Sequence, residues 1–297
     1  MVTVSGRELQ SWRKTAIKQA IAAKVPVKEV DWLLQQITTL DSLTLRLESF
    51  VTNSAIAITY SLPELSLLWQ KRLQEHLPIQ YLVGKTNWRN WELQVSPAVL
   101  IPRPETELVV EIVRQLKFAP TIVESEQHWV DLGTGSGAIA ISLAASFPQA
   151  KVHAVDISEE ALVVARKNAG IAGFAEQISF YHGSWWTPLQ HLEDKVIGMV
   201  ANPPYIPTVE LPQLQPEVFH HEPHLALDGG KDGLEAIRHL VSVSPQYLRS
   251  GGVWFSEIMA GQAAEVIAML EDRGSYRNIE AIRDLAGIER FVLARRK

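Results

Sequence analysis

Apolar and polar positions divide the chain into two textures. Up to about residue 76 the apolar residues recur at helical spacing: Val27, Val30, Leu33, Leu34 and Ile37 share one face, as do Leu65, Leu68, Trp69 and Leu73. Breaks at Pro26, Asp41 and Pro63 separate about four short helices, with Asp41 placed as an N-cap. From Ile79 to Val99 the texture shifts, and Trp88, Trp91, Leu93 and Val95 predict a β-hairpin turning near Arg89-Asn90. Beyond Pro102 strands and helices alternate. Strands are expected at 128–132, 151–155, 178–182, 197–201, 253–258, 280–284 and 290–294, with helices at 138–146 and 159–169, the latter capped by Ser158. Such alternation predicts a mostly parallel sheet covered by helices on both faces.

Composition narrows the partners. The 297 residues are 46% hydrophobic and 21% charged, as in ordinary globular chains. A net charge of -5 leaves no electrostatic footprint for a nucleic-acid backbone. No run of Lys and Arg is longer than pairs such as Arg13-Lys14 and Lys71-Arg72 and the tail Arg295-Arg296-Lys297. With zero cysteines, disulfides, thiolate metal sites and Cys nucleophiles are excluded. No segment reaches the roughly 20 apolar residues of a membrane span, and charge runs through residues 7–28 where a secretory signal would lie, so a cytoplasmic address is expected.

Two motifs carry chemistry. Asp131-Leu132-Gly133-Thr134-Gly135-Ser136-Gly137 leaves a strand and enters a helix, where glycines permit a tight turn and close approach of a ligand to the backbone. The spacing is G-x-G-x-G, which is neither the dinucleotide fingerprint nor a phosphate loop with its lysine. Asp156 ends the next strand, where it can accept both ribose hydroxyl protons. A cofactor with a ribose but no phosphate to neutralise fits these residues, and S-adenosylmethionine is such a cofactor. A merely tight turn, with Asp156 capping the following helix, is the bland alternative.

The second motif, Asn202-Pro203-Pro204-Tyr205, follows an apolar strand and so lies at the carboxyl edge of the sheet. The Asn202 side-chain carbonyl can accept one hydrogen of an NH₂ group, and the Pro203 carbonyl the second. Prolines with fixed φ and no N–H stiffen the loop. Tyr205 can wall the acceptor and set a π-face near a sulfonium. Orientation and electrostatics of this kind suit a planar amide or amine nitrogen, a poor nucleophile, without a strong base. In isolation the tetrad would also serve as an ordinary turn; its position after the glycine loop and Asp156 favours the chemical reading.

Taken together the chain resembles the release factor glutamine methyltransferases. The resemblance covers nearly everything beyond residue 78: Gln80-Tyr81-Leu82-Val83-Gly84, the run Val95-Ser96-Pro97-Ala98-Val99-Leu100-Ile101-Pro102-Arg103-Pro104-Glu105-Thr106-Glu107, the glycine loop with Asp156, and Asn202 through Ile206. It continues through Glu222-Pro223, 226–230, Asp232-Gly233-Leu234 and Asp284-Leu285-Ala286-Gly287. The tetrad is shared with adenine-N6 and other amino methyltransferases; the Ile101–Glu107 run is much more specific to glutamine modification.

The resemblance implies an α/β fold, a seven-stranded Rossmann-like class I methyltransferase sheet with a small N-terminal helical bundle. It divides the chain into a release-factor-binding bundle (1–77), a hairpin linker (78–100) and a methyltransferase domain (101–297). Gly133, Thr134, Gly135, Ser136, Gly137, Asp156, Trp185 and Asn202 would bind S-adenosylmethionine. Asn202, Pro203, Pro204 and Tyr205 would hold the glutamine, with Asn202, Pro203 and Tyr205 catalytic. The reaction would methylate the side-chain amide nitrogen (N5) of the glutamine in the Gly-Gly-Gln motif of class I peptide chain release factors, a step tied to translation termination, and release S-adenosylhomocysteine. No metal, nucleic acid or membrane partner is implied, and the enzyme would act as a monomer.

Ser184 departs from the family pattern, standing where related enzymes often have an Asp for the adenine amino group, and Trp186 is an alternative to Trp185 as the adenine wall. Arg103, Glu105 and Glu107 fit either a lid or a helix start with Pro104 at its first position. The cluster Phe219-His220-His221-Glu222-Pro223-His224 invites a metal reading but lacks zincin spacing, which favours a substrate-facing loop. Two rival functions remain: an adenine-N6 nucleic-acid methyltransferase, which would need a basic cleft, and a non-enzymatic scaffold that binds cofactor and docks translation factors.

Overall fold

The computed structural model describes residues 2–116 and 127–297. By internal contacts the chain forms two units, Met1–Gly84 with Gln215–His221, and Lys85–Leu214 with Glu222–Lys297.

The first unit is helical, with helices Gly6–Ala23, Lys28–Ile37, Ser42–Leu47, Leu62–Gln74 and Ile79–Val83 and a short ladder of β1 (Val2–Val4) on β2 (Ile56–Ile58). Ser5 with Glu8 and Ser61 with Glu64 form capping boxes that satisfy first-turn N–H groups. Asp41 caps the third helix, accepting from Thr44 N at 2.7 Å. Val30, Leu33, Leu34, Ile37, Leu65 and Trp69 are buried in one core with Leu9 and Phe50. Val27 departs from the expected face: the helix starts one residue later, leaving Val27 at the cap and exposed. Arg72 is buried and answered by Glu29, at 2.6 and 3.0 Å, and by Glu217 of the short helix Pro216–His221, at 2.9 Å.

The second unit opens with a hairpin, β3 (Lys85–Trp88) and β4 (Trp91–Gln94), turning at Arg89-Asn90. Its sheet contains β5 (His128–Leu132), β6 (Lys151–Asp156), β7 (Ile178–His182), β8 (Val196–Ala201), β9 (Leu248–Glu257), β10 (Tyr276–Arg283) and β11 (Glu289–Arg296). The seven strands lie in the order β10-β11-β9-β8-β5-β6-β7. The run β9 to β7 is parallel, and β11 and β10 close the far edge antiparallel. The chain winds outward from β5 to β7, then returns to lay β8 on the other side of β5. That reversal opens a crevice beyond the carboxyl ends of β5 and β8.

Alternation along the strands feeds two cores. Val130, Leu132 and Met199 face a layer with Trp186, Ile237, Leu240 and Val266, while Trp129, Ile197 and Val200 face one with Val109, Ile139 and Leu143. Among the described residues no helix is long and apolar enough to cross a membrane.

Candidate active site

The glycine loop is built by bonds that bend it back onto the sheet. Gly133 N and Thr134 N both donate to the Val155 carbonyl, at 2.9 and 3.0 Å, and Gly137 N donates to the Thr134 carbonyl at 2.8 Å. Asp131 sits beneath the turn with no solvent exposure, its Oδ2 accepting from Thr134 Oγ1 at 2.6 Å and from Ala140 N at 3.0 Å. Burial pushes its carboxyl up to about 7 against those two bonds. Its Oδ1 is buried without a hydrogen-bond partner in the structure. Asn168, fully buried, ties the loop to the hairpin: its Nδ2 donates to the Ser136 and Gln94 carbonyls, at 2.8 and 2.9 Å, and its Oδ1 accepts from Gln94 N at 2.7 Å.

Asp156 closes β6 beside this loop. Its Oδ2 accepts from Gly135 N at 2.8 Å and its Oδ1 from Ser158 N at 2.9 Å. Burial raises its pKa, partly offset by those N–H donors. Each oxygen keeps a lone pair beyond the one the backbone uses, enough for a pair of hydroxyl donors.

These residues border a cavity of about 280 Å³. Gly133, Thr134, Gly135, Ser136, Asp156, Ile157, Ser184 and Trp185 form one part of its lining, and Ala98, Pro102, Arg103, Thr106, Asn202 and Pro204 another. Gly137, Pro203 and Tyr205 are not among its lining residues. Trp185 adopts φ 51°, a left-handed conformation rare for a bulky residue, and its ring packs over Gly133, 3.5 Å from where an ideal Cβ would stand. Trp186 points the other way. It is 1% exposed, stacks on Tyr247 at 4.4 Å and donates from Nε1 to Ser244 Oγ at 3.1 Å, so it is core.

The tetrad leaves β8 one rung from the glycine loop, because Ala201 pairs with Leu132 of β5. Its exit is pinned on both sides. Ile206 N donates to the Leu227 carbonyl at 3.0 Å, Gly229 N returns a bond to the Ile206 carbonyl at 2.8 Å, and Gln262 Nε2 donates to the Tyr205 carbonyl at 3.1 Å. The Tyr205 hydroxyl donates to Glu257 Oε1 at 3.3 Å, and burial raises its pKa. Asn202 Nδ2 lies 3.4 Å from Thr106 Oγ1.

Arg103 donates to Glu222 Oε1 at 2.6 Å, and Glu222 Oε2 accepts from Ile101 N at 3.2 Å. Pro104–Glu107 is the first turn of a helix continued by Leu108–Gln115, the helix start expected for that segment, and Arg103 just before it borders the cavity. In the histidine cluster, His221 Nε2 donates to the Glu75 carbonyl at 2.6 Å and Glu222 is spent on Arg103 and Ile101. Among the described residues no group of three or more His, Cys, Asp or Glu is arranged to hold a metal ion.

The match to known proteins is extensive. Residues 124–222 match the model of a methyltransferase domain. A release factor glutamine methyltransferase of Synechocystis sp. is 53% identical over 98% of this chain and 97% of its own length. The proteins of the same description from Thermosynechococcus vestitus and Gloeobacter violaceus are 45% and 42% identical, over 98% and 95% of this chain and 99% and 95% of their own lengths. The chain belongs to the release factor glutamine methyltransferase family.

Among solved structures, the hMettl16 catalytic domain in complex with MAT2A 3'UTR hairpin 6 is 14% identical, with a TM-score of 0.53 over 89% of this chain and 88% of that one. At that identity the likeness is one of fold. As a methyltransferase of this family the chain uses S-adenosylmethionine, and the residues present suit it. Among the described lining residues the one basic side chain is Arg103, already paired with Glu222, so nothing in the cavity awaits a phosphate. Backbone glycines, the Asp156 carboxylate and apolar surface from Ile139, Val155 and Ile157 suit a nucleoside and thioether instead. Several of these were beyond the reach of sequence reasoning. Ile157 was signalled only by following Asp156, and Asn168 and Glu257 had no local signal at all.

Proposed function

We propose that the chain methylates the side-chain amide nitrogen of the glutamine in the Gly-Gly-Gln motif of class I peptide chain release factors. One observation carries the reading: the glycine loop and Asn202 border the same cavity from neighbouring strand ends. When bound, S-adenosylmethionine supplies an electrophilic methyl on a sulfonium. Gly133, Thr134, Gly135 and Ser136 would hold it along the loop, Asp156 at the ribose, and Trp185 beside the adenine, with Gly137 shaping the turn. Ser184, at the rim, would be the polar neighbour of the adenine amino group.

Asn202 and the Pro203 carbonyl would accept the two amide hydrogens of the glutamine. Two acceptors draw electron density onto nitrogen and aim it, which is how a site without a strong base activates a poor nucleophile. Pro204 borders the acceptor space, and Tyr205, tethered to Glu257 and Gln262, holds the loop's exit. The helical bundle would bind the body of the release factor, and the enzyme would work as a cytoplasmic monomer.

The test is transfer of labelled methyl from S-adenosylmethionine to a purified release factor, to the same factor with its motif glutamine changed to alanine, and to DNA. Label on the unaltered factor alone is expected. Label on DNA alone, or on nothing, overturns the assignment. Asn202→Ala should lower kcat by about 10²–10³-fold, as does loss of one donor at comparable preorganised sites, while S-adenosylhomocysteine binding is largely kept. A near-parental rate would refute the acceptor role.

A further inference from the structure

An amide side chain is useful as an acceptor only if its oxygen, not its NH₂, faces the substrate. In the cavity-lining Asn202 that choice is made from behind. Glu257, at the end of β9 and 2% exposed, accepts from Thr106 Oγ1 on Oε2 at 2.7 Å and from the Tyr205 hydroxyl on Oε1 at 3.3 Å. Thr106, itself 4% exposed, receives Asn202 Nδ2 at 3.4 Å. An ionised carboxylate accepts only, so the single hydroxyl proton of Thr106 is committed to Glu257. The Thr106 oxygen then has only lone pairs to offer Asn202. The Asn202 NH₂ must turn toward Thr106, and its Oδ1 is left to the opposite side.

We propose that Thr106 and Glu257 are positioning residues that fix the amide orientation of Asn202 so that its oxygen, rather than its NH₂, is presented to the acceptor nitrogen. This rests on the reading of Asn202 as the holder of the substrate amide. It also gives a physical task to a threonine inside the Ile101–Glu107 run, one distinct from starting a helix. Glu257 is not among the cavity's lining residues, while Thr106 borders the cavity; the role assigned to each runs through Asn202.

Protonated Glu257 would reverse the relay: its O–H could donate to Thr106, whose own proton could then turn to Asn202 and favour the wrong face of the amide. The groups facing Glu257 are Thr106 and Tyr205, which bond to it, Arg290, which favours its charged form, and Glu105, which opposes it. Burial outweighs the favourable partners and lifts the carboxyl to about 7.

The experiment measures kcat, KM, their pH dependence, melting temperature and S-adenosylhomocysteine affinity for the full chain and for Thr106→Val, Thr106→Ser and Glu257→Gln, on a release factor. Thr106→Val should lower kcat about 10- to 100-fold, the range for losing a supporting partner that orients a site residue, with cofactor affinity within about threefold. Thr106→Ser should restore most of that rate. The parent should show an acid limb in kcat near pH 7 that Glu257→Gln lacks. Parental kcat in Thr106→Val, serine no better than valine, or an acid limb that survives in Glu257→Gln would overturn the proposal. If Thr106→Val does not fold, the serine rate and the Glu257→Gln profile decide. A parent chain with no activity on release factors refutes the functional assignment instead, a result separable from all of these.

Discussion

Adding one methyl group at Gly135 separates cofactor binding from folding. Gly135 borders the cavity at φ 53°, its N–H held by Asp156 at 2.8 Å, and an ideal Cβ built there meets no protein atom within 4 Å. Alanine therefore clashes with nothing in the apo protein and incurs only the left-handed backbone cost, about 1–2 kcal/mol. For a domain of 150–250 residues each kcal/mol moves Tm by about 2–4 °C, so a fall of about 2–8 °C is expected. A ligand lying against the bare Cα meets the methyl directly. Overfilling a fitted contact costs about 1–3 kcal/mol, or roughly 5- to 150-fold in Kd. Gly137→Ala is the contrast: φ is 83° and the new Cβ would sit 3.2 Å from Ala165 Cα and Cβ, so packing suffers before any ligand arrives. Thermal melting and titration calorimetry with S-adenosylhomocysteine measure both quantities. A folded Gly135→Ala protein that binds within twofold of the parent would show that the cofactor does not lie along this loop.

Two further outcomes concern the scaffold. Gly198→Ala would put a Cβ 2.1 Å from Trp129 Cζ3, in a fully buried ring stacked on Phe147 at 4.7 Å; urea denaturation should show a loss of about 3 kcal/mol or more, partly recovered when Trp129→Leu is added, and a stable single variant would contradict the packing. His153, buried between His128 at 2.9 Å and the Tyr181 hydroxyl at 3.1 Å, is lowered to about 3, first by burial and then by His128, His191 and Lys151. A depressed folded pKa means its stability is complete above about 6.5 and declines as pH falls toward 3. By pH 5 the loss is about 2 kcal/mol. Asp131 and Glu257, raised by burial, have the opposite slope, so the informative quantity is the parent's stability minus that of His153→Gln. That difference should fall by about 2 kcal/mol between pH 7.5 and 5, and a flat difference would exclude titration of His153.

How far the sequence could be read depended on whether the information was local. The glycine loop announces itself because three glycines and a strand-end acid lie within one supersecondary unit, and the Ser158 and Asp41 caps because a cap needs only the next three residues. Alternating strands carried the sheet for the same reason. Trp185 and Trp186 are equivalent as letters; only the left-handed turn at Trp185 and the Tyr247 stack under Trp186 tell them apart. Glu257 lies 52 residues past Tyr205 on another strand, and no spacing connects it to the tetrad until the sheet brings them together. The helix Pro216–His221 gave a histidine-rich string that suggested a loop or a metal. It groups with the first unit, where Glu217 pairs with Arg72, a contact across 145 positions that no window includes.

The pairing of Leu132 with Ala201 has a consequence for how this site can change over generations. Adjacent parallel strands stand about 4.8 Å apart, and one residue of slippage moves a strand end by about 3.3 Å while turning its side chains to the other face. An insertion or deletion inside β5 or β8 would therefore not adjust the span between the two loops in small steps; it would break it. Novelty in what is methylated has to enter through segments that hang outside this ladder, such as residues 98–106 and the stretch after Tyr205. The ladder itself behaves as an inherited ruler.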